Sequence, residues 1–131
     1  MIGDLIGEFK GKIVGFRVLS DGKIEGTEMG TGKLLGMDAS IMNTGTSTPM
    51  PNGIFMTERN GIFTTVDGDS LQIKINGIGW LTGKGWKASY RGASYQMTQS
   101  QKLERLNRVV GIWEYELDEN GDWILKLWEW K

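Results

Sequence analysis

The chain of 131 residues contains no cysteine and no histidine. The absence of cysteine excludes a disulfide framework, a thiolate nucleophile and an iron–sulfur cluster. The absence of histidine removes the commonest general base and the commonest metal ligand, which excludes zinc-protease and Ser-His-Asp sites. Glu, Arg and Tyr side chains are therefore the candidates for any acid–base chemistry, and we expect neither a metal nor a cofactor.

A charge excess of one sign and long apolar runs are also lacking. The chain has 15 Lys+Arg against 16 Asp+Glu, a formal net charge of -1, whereas a dedicated nucleic-acid binder needs a basic footprint. No apolar run approaches the ~20 residues of a membrane span, and the first ten residues do not form a signal peptide. We therefore expect no nucleic-acid partner, no membrane partner and a cytoplasmic location.

The charges are nevertheless unevenly distributed along the chain. Residues 84–108 contain six basic residues and one acidic residue, whereas residues 114–131 contain six acidic and two basic residues. Two such segments can attract each other within or between subunits, or can simply be solvated faces. The basic segment also keeps open the alternative of an oligonucleotide-binding barrel.

Turn signals are abundant, because the chain has 20 glycines and only 2 prolines. Asp-Gly or Asn-Gly pairs, which favour hairpin turns, occur at 21–22, 60–61, 67–68 and 120–121. Thr31-Gly32 and residues 82–85 indicate two further turns. The intervening runs are rich in β-branched and aromatic residues and predict strands at 7–19, 23–29, 33–43, 53–59, 61–67, 70–81, 86–97, 108–118 and 122–130.

Two segments depart from this pattern. Residues 44–53 are predicted to form a loop because they contain both prolines. Residues 100–107 predict one short helix before the penultimate strand, with Ser100 as N-cap. A meander of this length leaves two edges or closes, and glycines within the strands favour closure. We predict one all-β domain over 1–131, a closed antiparallel up-and-down barrel of about eight strands.

The C-terminal half resembles a known group of barrels. The resemblance rests on 77–85 (GIGWLTGKG), 90–92 (YRG), 102–107 (KLERLN), 109–111 (VVG), 113–116 (WEYE) and 128–131 (WEWK). These runs are similar to small uncharacterised prokaryotic proteins of the allene oxide cyclase-like group. The resemblance implies an eight-stranded, often trimeric barrel whose apolar cavity takes a fatty-acid-derived or polycyclic ligand. It also implies a cofactor-free cyclase or isomerase that acts mainly through shape, and it assigns no catalytic residue.

Four charged residues and Tyr115 are candidates for acid–base work. Glu114 and Glu116 share one face of their strand, where they are either an interior acid–base pair or an exposed pair bonded to Arg91 or Lys126. If Trp128 and Trp130 point outward, Glu129 points inward and needs an Arg or Tyr partner.

Arg91 is a candidate partner for such a carboxylate or for an anionic ligand. Arg105 and Arg108 are expected either to form an anion site or to close one end of the barrel.

The direction in which several large apolar side chains point is also left open by the sequence. Met37, Met56, Trp80 and Trp113 are candidates for a cavity wall, with core packing as the alternative. Trp128 and Trp130 are predicted to form a subunit interface. The sequence thus leaves two functions open: a barrel that binds a small lipophilic ligand, or a filled barrel that acts as a homo-oligomeric (dimeric or trimeric) interaction module.

Overall fold

The computed structural model describes all residues 1–131 and shows a closed antiparallel barrel of eight strands. The strands are β1 (Ile2–Val18), β2 (Ile24–Leu34), β3 (Met37–Pro49), β4 (Ile54–Thr65), β5 (Ser70–Leu81), β6 (Ala88–Met97), β7 (Val110–Leu117) and β8 (Asp122–Trp130). Each strand pairs with the next along the chain, and β8 pairs with β1. The predicted fold class is confirmed.

Closure joins the two ends of the chain. Glu8 on β1 lies opposite Lys126 on β8, and the Met1 ammonium donates a hydrogen bond to the Lys131 carbonyl at 2.8 Å. Because the first and last strands pair, the sheet has no free edge.

No helix of the chain is long and apolar enough to cross a bilayer.

Two dipeptides predicted as turns lie inside strands, and the first of them merges two of the nine predicted strands into one. Asn60-Gly61 lies within β4, where Gly61 pairs with Asn43. Thr31-Gly32 lies within β2, and the turn follows at Leu35 and Gly36, which have φ of 49° and 79°. The Gly22, Gly68 and Gly121 turns are confirmed, with φ between 84° and 89°.

The two irregular segments are also shorter than predicted. β3 continues to Pro49, so only Met50–Gly53 of the predicted loop lies outside a strand, as a turn of 3-10 helix over Pro51–Gly53. The predicted helix is a 3-10 turn over Glu104–Arg108 that precedes β7. Successive side chains along a strand point to opposite faces, so each strand keeps one face in the barrel and one in solvent.

One end of the barrel is filled and capped. Phe9 and Phe63 meet there with ring centroids 4.9 Å apart. Leu103, which precedes the 3-10 turn, and Leu106 within it are fully buried in the same core. Gln96 on β6 fixes the turn by donating to the Leu106 and Val109 carbonyls at 3.3 and 2.9 Å. We call this the closed end; the opposite end, at the hairpins after β1, β5 and β7, is the open end.

Candidate functional site

A cavity of about 440 Å³ occupies the half of the barrel next to the open end. Fourteen of its 24 lining residues are hydrophobic, among them Ile75, Leu117 and Leu125 on the inner faces of β5, β7 and β8. Phe16 on β1 and Trp86 in the β5–β6 connection meet with ring centroids 5.0 Å apart. Because β1 and the β5–β6 connection lie on opposite sides of an eight-stranded barrel, this contact narrows the opening.

The lumen stays open because the side chains of its two tryptophans cross the wall above glycines. Trp113 on β7 lies opposite Gly92 on β6, which lies opposite Gly77 on β5. A Cβ added at Gly92 would stand 2.6 Å from Trp113 Cζ2, and one at Gly77 would meet the same atom at 2.6 Å. The indole therefore occupies the space that two side chains would otherwise fill.

The same arrangement recurs for Trp123 on β8. Trp123 lies opposite Gly11 on β1, which lies opposite Gly30 on β2. Added Cβ atoms at Gly11 and Gly30 would stand 2.6 Å from Trp123 Cζ2 and Cη2, respectively. The two tryptophans thus extend away from each other, and Tyr115 stacks on Trp123 with a centroid distance of 5.7 Å.

A cluster of hydrogen-bonding side chains lies among these apolar walls, and we call it the polar cluster: Glu28 (β2), Asn43 (β3), Arg59 (β4) and Tyr115 (β7). Glu28 and Asn43 are only 6% and 4% exposed. Arg59 extends across Gly45 to β2, where its Nη2 donates to the Gly26 carbonyl at 2.8 Å. Its Nε donates to Asn43 Oδ1 at 2.5 Å.

Glu28 links the two halves of the polar cluster. Its Oε2 lies 3.7 Å from Arg59 Nη2, and its Oε1 accepts a hydrogen bond from the Tyr115 hydroxyl. Burial raises the pKa of Tyr115 well above its ordinary value, and the charge of Glu28 and the hydrogen bond to it act in the same direction. Tyr115 is therefore a neutral donor under ordinary conditions.

Two of the residues singled out in the sequence line the cavity. Trp113 forms part of its wall, and its indole nitrogen donates to the Ala93 carbonyl at 2.9 Å. Tyr115 belongs to the polar cluster. Met37 packs on the core without lining the cavity.

Other candidates lie on the outer surface, because strand alternation gives them the opposite direction. Met56 is 49% exposed on β4, and Trp80 lies outside on β5 beneath the Arg91 guanidinium, 5.9 Å from its ring centroid. Arg91 Nη2 lies 3.1 Å from Glu116, and Arg91 Nε lies 3.9 Å from Glu114. Both carboxylates are about half exposed, so the exposed-pair alternative describes them.

Glu129 lies at the closed end, away from the cavity. Its side chain is only 18% exposed, and its partner is Arg105 on the 3-10 turn, with Nη1 3.4 Å from Oε2. Arg105 thus helps to close this end of the barrel. No group of three or more Asp and Glu side chains is arranged to hold a metal ion.

Glu28, Asn43 and Arg59 are cavity residues that the sequence pattern does not predict. In an unbroken β4, Phe55, Arg59 and Phe63 have the same parity and point into the barrel together. The predicted turn at 60–61 interrupts that parity. The predicted loop at 44–53 leaves Asn43 as the last residue of its strand. Strand continuity through both segments was the missing signal.

The barrel is similar to several solved structures. A protein of unknown function from Clostridium acetobutylicum matches with a TM-score of 0.79 and 12% identity, covering 98% of each chain. One from Rhodopseudomonas palustris has a TM-score of 0.81 and 13% identity, covering 98% of this chain and 97% of that one. A beta-barrel-like protein from Acinetobacter baumannii has a TM-score of 0.82 and 12% identity, covering 100% and 96%.

The comparisons establish the fold and nothing finer. No protein-family model matches the chain, and no curated protein matches it. The three structures confirm the resemblance to prokaryotic β-barrels of unknown function, and none of them is described as allene oxide cyclase-like.

The raised pKa of Tyr115 predicts a specific pH dependence of stability. Above about pH 10 an unfolded tyrosine loses its proton whereas Tyr115 keeps it, so the folded state binds more protons and loses stability as the pH rises. Tyr115→Phe removes this contribution, so the free energy of unfolding falls less steeply with pH, by at most about 1.4 kcal/mol per pH unit. Urea unfolding between neutral pH and about pH 11 measures the slope.

The matched control is Tyr95→Phe, which changes an exposed tyrosine on β6 and leaves Tyr115 in place. We expect this variant to keep the steeper wild-type decline and Tyr115→Phe to show a shallower one. Identical slopes for the wild type and Tyr115→Phe would contradict the burial of a protonated Tyr115.

Proposed function

We propose that this protein binds a small, largely apolar molecule inside the open half of its barrel. The observation that carries the proposal is the cavity of about 440 Å³, which lies within the ~300–1,000 Å³ range of ligand pockets. Its wall combines many apolar side chains with a few hydrogen-bonding ones, as ligand sites generally do. The resemblance to cyclase-like barrels supports the same reading.

The polar cluster gives the proposal a second support. A buried ion pair contributes little net stability, and apolar side chains of similar volume often do as well. Glu28 and Arg59 nevertheless lie in a lumen that is otherwise mainly apolar. A ligand with one polar group accounts for both parts of the wall.

The proposal includes the cofactor-free isomerisation or cyclisation that the resemblance implies. Glu28 and Tyr115 are a hydrogen-bonded carboxylate and phenol inside the cavity, which Glu119 and Tyr90 also line. Glu114, Glu116, Glu129 and Arg91 lie outside it, so we assign them no part in such a reaction.

Obstructing the cavity tests the proposal. Gly26 on β2 lines the cavity, and the nearest atom to an added Cβ is 3.9 Å away. A Gly26→Val side chain therefore extends into the lumen, and we expect it to weaken binding of a fluorescent apolar probe at least tenfold. The measurement is a fluorescence titration, with mass analysis of ligand that co-purifies with the wild type.

Gly15→Val is the control, because Gly15 is exposed on β1 and an added Cβ there meets nothing within 4 Å. It should bind the probe as the wild type does. A wild type that binds no apolar probe and co-purifies with no small molecule, or a Gly26→Val variant that binds normally, would refute the proposal.

A second candidate function is a homo-oligomeric interaction module. Ile2 lies opposite Trp130 and Leu5 opposite Trp128 on the paired first and last strands. Trp130 and Ile2 are 57% and 58% exposed. We call these four residues the outer tryptophan patch; Trp128 is half-buried and the other three are exposed. An apolar surface of this kind is typical of a protein–protein interface.

Replacing an apolar residue of this patch with a charged one tests the second candidate. We expect native mass spectrometry at micromolar concentration to show a dimer or trimer for the wild type and a monomer for Trp130→Glu. Met42→Glu, on the outer face of β3, changes an equally exposed apolar residue elsewhere and should leave the oligomer intact. A monomeric wild type would exclude this candidate.

A further inference from the structure

The polar cluster leaves two hydrogen-bond donors without a partner. Arg59 uses Nε and Nη2 within the protein, and its Nη1 makes no hydrogen bond. Asn43 accepts from Arg59 through Oδ1, which fixes the orientation of the amide and leaves both N–H groups of Nδ2 free. Each nitrogen belongs to a residue that lines the cavity.

These two nitrogens are open to the cavity rather than sealed by protein. The one fully buried side-chain nitrogen or oxygen without a partner is Trp123 Nε1, so both Arg59 Nη1 and Asn43 Nδ2 border open space. Ordered water generally satisfies polar groups that border such a space in a free protein. A ligand that displaces this water must supply acceptors in its place, because otherwise it loses affinity.

Charge determines which kind of acceptor fits. The carboxylate of Glu28 and the guanidinium of Arg59 cancel each other. A carboxylate ligand would pair with Arg59 but would also face Glu28. An ammonium ligand would pair with Glu28 but would also face Arg59. Either would leave an uncompensated charge in a mainly apolar lumen, which is costly.

We propose that the cavity recognises its ligand by an uncharged carbonyl oxygen that accepts hydrogen bonds from Arg59 Nη1 and Asn43 Nδ2. The inference rests on the proposed function and adds the chemical class of the ligand: a ketone, aldehyde, ester or amide with an apolar body. An sp² oxygen offers two lone pairs in its plane, so it can accept from both nitrogens at once. The apolar body then lies against the indole of Trp113 and the aliphatic wall.

The test compares four naphthalene derivatives of similar size with different polar groups. Acetylnaphthalene carries the ketone, ethylnaphthalene no polar group, naphthoate a carboxylate and naphthylmethylamine an ammonium. We expect the ketone to bind about tenfold or more tighter than each of the other three, since it alone accepts hydrogen bonds from Arg59 and Asn43 without adding a charge to the lumen. Competition against a fluorescent probe measures the four affinities.

Asn43→Asp removes the donor and also adds a carboxylate beside Arg59, so ethylnaphthalene binding serves as the control for the added charge. The aspartate keeps an oxygen to accept from Arg59 Nε but replaces the free N–H groups with an acceptor. We expect it to weaken ketone binding about tenfold and to leave ethylnaphthalene binding unchanged. Asn60→Asp makes the same substitution at an exposed position on β4 and should bind all four compounds as the wild type does.

The infrared band of the ketone provides a readout that does not depend on affinity. Hydrogen bonding to the carbonyl oxygen lowers its stretching frequency in the bound state of the wild type and of Asn60→Asp, and less so in Asn43→Asp. Equal affinities for ketone and hydrocarbon, a preference that survives Asn43→Asp, or tighter binding of a charged compound would overturn this inference while leaving the proposed function intact. Failure of all four compounds to bind would count against both.

Discussion

The interior of this barrel depends on one steric constraint: the inward side chains of Trp113, Trp123 and Arg59 cross the wall over glycines on the neighbouring strands. An eight-stranded barrel is just wide enough for side chains to fill it or for one small ligand to enter. Trp113 extends over Gly92 and Gly77, and Trp123 over Gly11 and Gly30. Because the two indoles follow the wall instead of spanning the lumen, about 440 Å³ stays open.

The polar cluster depends on the same constraint. Arg59 lies opposite Gly45, which lies opposite Gly26, and its guanidinium reaches the Gly26 carbonyl across that pair. A side chain at position 45 would stand against the stem of Arg59. The glycines thus determine both the volume of the cavity and the placement of its one cation, which pairs with Glu28. Packing at the closed end, with Phe9 and Phe63 in contact, supplies a conventional core beneath this site.

Much of the fold follows from the sequence, because strand alternation and turn residues are local signals. Asp21-Gly22 and Asn120-Gly121 turn the chain as predicted, and Trp113 and Tyr115 share one strand face, which points inward, one of the two directions that the sequence leaves open. The site itself depends on registers between distant strands. Asn60-Gly61 has the composition of a turn, yet Gly61 is a strand residue that lies close to Asn43 on β3.

The direction of a single side chain, into the barrel or out of it, is harder to predict than the fold. Trp80 and Met56 have the size and polarity of cavity residues, and their strand parity alone places them outside. Glu28 and Arg59 are ordinary charged residues in the sequence, and they become a buried pair only when β2 and β4 face the same lumen. Long-range pairing decides such positions, and a single sequence carries little information about it.

The unfolding free energy of Gly92→Ala, compared with that of Gly26→Ala, tests the glycine constraint most directly. A Cβ at Gly92 would overlap the backbone carbonyl oxygen of Asn76 and would stand 2.6 Å from the Trp113 ring, whereas the nearest atom to a Cβ at Gly26 is 3.9 Å away. We expect Gly92→Ala to lose about 1–3 kcal/mol, as overpacked cores do, and Gly26→Ala to stay within about 0.5 kcal/mol of the wild type. Equal stabilities for the two variants would contradict the account.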